Sequence, residues 1–200
     1  MPREITRRYE DPLDRIWMAT AARLGMRVER SGEVYASWDG RGTLTLSSAE
    51  HFDADDSLAQ LVLHEICHAL CEGPENFGVP DWGLDNLTDA DWLSEHACQR
   101  LQAALADTVG LRGFFGTTTD YRAYWDTLGP DPLAPGDDPA IALARAGWDR
   151  ATAAPWSDAL SAALAATAAV VAATRPFASP ESLFAAPAVD ANRRLTTEGR

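Results

Sequence analysis

Between Leu58 and Leu70 apolar side chains recur at Leu58, Leu61, Val62, Leu63, Ile66, Ala69 and Leu70. That spacing covers most of a helical circumference and predicts a helix buried on nearly every side. Asp55, Asp56 and Ser57 offer N-cap oxygens and negative charge at the positive end of its dipole, and Gly73-Pro74 stops it. Upstream, residues 12–24 place Leu13, Ile16, Trp17 and Leu24 on one face, with Pro12 in the first turn and Gly25 at the end. Three strand-like stretches follow: Met26–Arg30, Glu33–Trp38 and Gly42–Ser48. Thr43 to Ser47 alternates polar and apolar, as a half-buried strand does. Ser31-Gly32 and Asp39-Gly40 read as turns, so a small antiparallel sheet is expected.

Beyond the apolar helix, residues 74–90 are rich in Pro, Gly, Asp and Asn but carry Phe77, Val79, Trp82 and Leu84. They predict a long loop ordered by its anchors. A second helix is expected at roughly 90–109, capped by Thr88 or Asp89, with Trp92, Ala97, Leu101, Ala104 and Leu105 as its buried stripe. The aromatics of 111–128 read as packing residues. Residues 129–138 read as a linker. Alanine-rich helices follow at 139–150 and 156–174, separated by Pro155. This divides the chain into a domain at 1–128, the linker, a helical extension at 139–186 and a flexible tail at 187–200.

Composition narrows the setting. A net charge of −13 argues against nucleic acid or an anionic membrane as partner. Ala159 to Thr174 reads as too short and too weakly apolar to span a bilayer. The first residues have no apolar core of a secretory signal, and three cysteines suit a reducing cytoplasm.

The chemistry lies inside the apolar helix. His64 and His68 are four apart and share one face, so two imidazoles reach one metal ion. Glu65, next to the first histidine, is the expected general base. Burying such groups costs free energy unless a partner compensates them. Glu95, on the following helix, is the expected third ligand, with His96, Asp91 and Cys98 as rivals. His96 points about 100° away from Glu95 on a helix, so only one of them faces the ion. Cys67 and Cys71 read as small buried hydrophobes, and Tyr121 or Tyr124 as a donor to a developing oxyanion.

His64, Glu65 and His68, followed by Glu95 in a second helix, resemble the gluzincin arrangement of metallopeptidases. The resemblance implies an α+β, zincin-like fold, zinc on the two histidines and Glu95, Glu65 as base, and a peptide or protein substrate. Pro74 stands where a metzincin would place its third histidine, which argues against that class. A second likeness is to the bacterial elongation factor P hydroxylase family, at His64, Glu65, His68, Gly73, Glu75, Phe77-Gly78, Glu95 and Gln99. It implies iron in place of zinc and hydroxylation of a protein side chain. A third reading is a non-catalytic interaction protein that keeps its metal for stability.

Overall fold

A computed structural model of the chain describes residues 4–85, 89–119 and 121–185. Among these are six α-helices and a three-stranded sheet. Helix α1, Pro12–Arg23, starts where the Asp11 side chain accepts from Leu13 N at 2.9 Å and Asp14 N at 3.2 Å. The strands are β1, Arg27–Ser31; β2, Ala36–Trp38; and β3, Thr43–Ser47.

The sheet is mixed, not antiparallel. Its order is β1-β3-β2, with β1 parallel to β3 and β2 antiparallel to it. The alternating strand β3 takes the centre, with Leu44 and Leu46 fully buried. Only the second expected turn makes a hairpin. There Asp39 Oδ1 accepts from Arg41 N at 2.7 Å and Thr43 N at 2.9 Å, and Gly40 has a φ of 68°. After Ser31-Gly32 the chain instead crosses to the far side of β3. Strands one and three of an up-down-up path then lie side by side and run the same way.

Helix α2, Leu58–Glu72, is the apolar helix, capped by Ser57 Oγ accepting from Gln60 N at 3.2 Å. Gly73 ends it at a φ of 86°, a conformation that favours glycine. Arg150 donates to the carbonyls of Leu70 and Cys71 and so places a cation at the negative end of the α2 dipole. Helix α3 spans Trp92–Asp107, with Asp91 in the N-cap position; Thr88 lies outside the described residues, as does the tail at 187–200. Trp92 is 44% exposed, so it leaves the expected buried stripe. Its ring meets His96 edge-on rather than the core.

Helices α4, Arg122–Thr127; α5, Ala140–Ala151; and α6, Trp156–Thr174, complete the fold. One apolar cluster runs from Leu13 on α1 to Val171 on α6. Helix α5 lies on both α2 and α3 because Gly147 permits close approach. A Cβ there would come within 2.8 Å of Leu101 Cδ2 and 3.1 Å of Cys71 Sγ. Helix α6 lies on α1, where Trp17 Nε1 donates to Thr167 Oγ1 at 3.0 Å. By length and composition Trp156–Phe177 reaches what a membrane span requires, at a mean hydropathy of 1.4. That differs from the sequence expectation, which considered a shorter segment. Residues 129–138 run along the surface under three arginines. Arg100 reaches Pro132 O, Arg112 reaches Gly129 O and Arg145 reaches Leu133 O.

Candidate metal centre

Helices α2 and α3 bring His64, His68 and Glu95 together. The two imidazole Nε2 atoms are 3.1 Å apart, with the rings nearly perpendicular at 89°. Glu95 Oε2 lies 3.5 Å from His64 Nε2, and Oε1 lies 3.3 Å from His68 Nε2. Bonds of about 2.0–2.1 Å in a tetrahedral zinc site put neighbouring donor atoms about 3.3–3.4 Å apart. The three side chains therefore have the spacing of ligands around one small ion.

The electrostatics agree with that geometry. Burial alone would lower the pKa of His64. Hydrogen bonding and charge from Glu95, with Glu65 adding to them, push it up to about 9. Burial would raise the Glu95 carboxyl, but the two imidazoles hold it well below the usual carboxylate range. The meeting point of these groups thus stabilises positive charge, whether a proton on His64 or a metal cation in its place.

Gln102 orients His64. Its Nε2 donates to Phe115 O at 2.7 Å, which turns Oε1 toward His64 Nδ1 at 3.0 Å. A proton on Nδ1 completes that bond and leaves Nε2 to face Glu95 and His68 with either a proton or a metal ion. No such partner serves His68, whose buried Nδ1 has no hydrogen-bond partner among the described residues.

Glu65 is buried on the same helix, and its Oε2 accepts from Trp82 Nε1 at 3.1 Å. Trp82 belongs to the long loop after α2 and stacks on Trp38 of β2 at 4.5 Å and 8°. Asp81, before it, accepts from Trp38 N at 2.9 Å. Asp81 and Trp82 have φ values of 48° and 60°, which side-chain-bearing residues adopt only when the surroundings enforce it. The enforcing contacts include the β2–β3 turn. A Cβ on Gly40 would lie 2.9 Å from Gly78 O and 3.0 Å from Pro80 N, so turn and loop backbones are in direct contact.

Of the rival ligands, Cys98 stays beside the histidines, whereas His96 and Asp91 do not. Cys98, with His64 and His68, brings a donor atom within 4.8 Å of the others. Its Sγ, however, is nearer His64 Nδ1, at 3.4 Å, than Nε2, at 4.0 Å, and the thiol donates to His64 O. His96 turns away from the histidine pair, and its ring stacks on Tyr124 at 3.5 Å. Asp91 accepts from the backbone N–H of Asp85. Cys67 and Cys71 are free and buried. Tyr124 is bound to Arg100 and Asp138, whereas Tyr121 lines the cavity beside the histidines.

That cavity has a volume of about 690 Å³ and opens to solvent. His64, Glu65, His68 and Glu95 all line it. Two supporting residues escape a reading of the sequence. Gln102 left a faint signal, a polar residue seven positions after Glu95 in a stripe of small and apolar ones. The bond from Trp82 to Glu65 left none beyond an aromatic residue in a Gly- and Asp-rich loop.

Compared with known protein families, with curated proteins and with solved structures, the chain matches none.

Proposed function

We propose that this protein is a metal-dependent hydrolase of peptide or amide bonds with a zincin-like centre, in which His64, His68 and Glu95 hold zinc. The reading rests chiefly on two imidazole nitrogens 3.1 Å apart, each 3.3–3.5 Å from one oxygen of the Glu95 carboxylate, beside a buried second carboxylate, all lining one open cavity. Bound there, zinc supplies Lewis acidity to the substrate carbonyl and to the attacking water. Gln102 holds the His64 tautomer that leaves Nε2 free to ligate. Glu65 takes the proton of the attacking water and returns it to the leaving amine. The Trp82 indole fixes one oxygen of that carboxylate and orients it. Tyr121, in the cavity wall, supplies a hydrogen bond to the developing oxyanion.

Glu65→Gln should keep stoichiometric zinc, measured by elemental analysis, while cleavage of a quenched peptide library disappears. Cleavage at the wild-type rate would refute the mechanism. The same donor set suits ferrous iron. Protein purified without added metal is expected to carry zinc and consume no oxygen. Iron together with oxygen uptake would move the site to the hydroxylase class.

A further inference from the structure

Helix α3 brings two donors of different character to the same pair of histidines. Glu95 and Cys98 are three positions apart on it, so they are neighbours on its surface. Glu95 lines the cavity, and its side chain is 22% exposed. Cys98 is fully buried and does not line the cavity, so its sulfur meets the histidines from the core.

One ligand atom from each of His64, His68 and Cys98 lies within 4.8 Å of the other two. Cys98 Sγ is 3.4 Å from Nδ1 and 4.0 Å from Nε2 of the His64 ring. Gln102 occupies Nδ1, so Nε2 is the nitrogen left to share an ion with the sulfur. Bonds of about 2.0–2.1 Å to nitrogen and about 2.3 Å to sulfur put those two donors roughly 3.6 Å apart in a tetrahedral zinc site. The 4.0 Å gap is wider, which suits an ion that forms longer bonds. Among the described residues neither Cys67 nor Cys71 joins this group of donors, so the sulfur it offers is that of Cys98.

Thiolate favours soft ions, and carboxylate favours hard ones. We infer that the centre carries a second ligand set, His64, His68 and Cys98, which binds a soft, thiophilic ion such as cadmium(II) in place of the set with Glu95 proposed for zinc. The Cys98 thiol donates to His64 O at 3.2 Å while no ion is bound. On binding, the S–H bond breaks and its proton passes to solvent. The electron pair left on sulfur forms the metal–sulfur bond. This second set shares its histidines with the proposed hydrolytic centre but does not depend on hydrolysis.

The test titrates the chelator-treated full chain with cadmium(II) chloride and follows near-ultraviolet absorption for thiolate-to-metal charge transfer. A band that saturates at equimolar cadmium should appear. It should vanish in Cys98→Ala and survive in Cys67→Ala and in Cys71→Ala. X-ray absorption at the cadmium edge of the wild type should show a single sulfur neighbour beside nitrogen, which decides the matter even where Cys98→Ala fails to fold. Absence of cadmium binding, or a band that follows Cys67 or Cys71, overturns the inference. Cadmium held by nitrogen and oxygen alone also overturns it and leaves the zinc reading standing. Sulfur-bound cadmium in a protein whose zinc form cleaves nothing supports the inference and sinks the hydrolase reading.

Discussion

Two side chains set the aim of the groups proposed to react, and neither is among the proposed ligands. Trp82 gives Glu65 a hydrogen bond that phenylalanine cannot. A hydrogen bond to a charged group is worth about 1.5–3 kcal/mol, or roughly 10- to 100-fold in rate if it is lost in the transition state. Trp82→Phe should therefore lower kcat by about that factor and leave zinc content unchanged. Gln102→Leu should act on the other axis. Losing the orienting partner of a metal-bound histidine weakens metal affinity by about 10- to 100-fold. A competition titration with a zinc chelator measures it. If both variants lose metal equally, the division of labour between them is wrong. The histidine pair was legible in the sequence because a spacing of four puts both rings on one helix face, and Glu65 was read from its place beside the first of them. Glu95 was legible because a second helix followed at close range. Trp82 and Gln102 were not, since their roles depend on a loop path and on a side-chain orientation that periodicity does not encode.

At the scale of elements, α1, α2, α3, α5 and α6 followed from apolar spacing, alanine content and end signals, whereas α4 lies in a stretch read only as packing aromatics. The boundaries of α6 match the span between Pro155 and Pro176, and α1 starts at Pro12. The order of the sheet did not follow. Alternation identifies a strand, but which strand sits in the middle depends on where the chain crosses after Ser31-Gly32. The contact of α5 with α2 and α3 was equally hidden, because it hangs on the missing side chain of Gly147. Gly147→Val should force Leu101 and Cys71 apart and cost about 1–3 kcal/mol, read from the urea midpoint. The N-terminus of α5 carries a pH-sensitive contact. Asp138 accepts from Arg100 Nη2 and Tyr124 Oη at 2.8 Å, and from Ala140 N at 2.9 Å. Burial raises its carboxyl, but these bonds outweigh that and hold it below the ordinary value of 3.8. A depressed carboxyl adds stability above its unfolded pKa and loses it as pH falls through the folded one. The wild type should thus lose more stability than Asp138→Asn on acidification below 3.8. Parallel losses would deny Asp138 that role.

For the whole molecule, the proposed metal site lies at a junction the core does not require. The apolar cluster runs through all layers from α1 to α6 without needing an ion to join them. Chelation should therefore lower Tm, by mass action, while the far-UV circular dichroism stays helical. Collapse of the helical signal on chelation would instead favour a protein that keeps its metal only to stay folded.

Gly40 ties that stable frame to the chemistry. Its missing side chain lets a hairpin rest on the backbone of Gly78 and Pro80, and the same loop then carries Trp82 to Glu65. Among divergent copies of this gene, a bulkier residue at position 40 should thus be accompanied by an insertion or deletion between positions 74 and 85. Lineages that change the turn alone would be expected to have lost the reaction while keeping the fold.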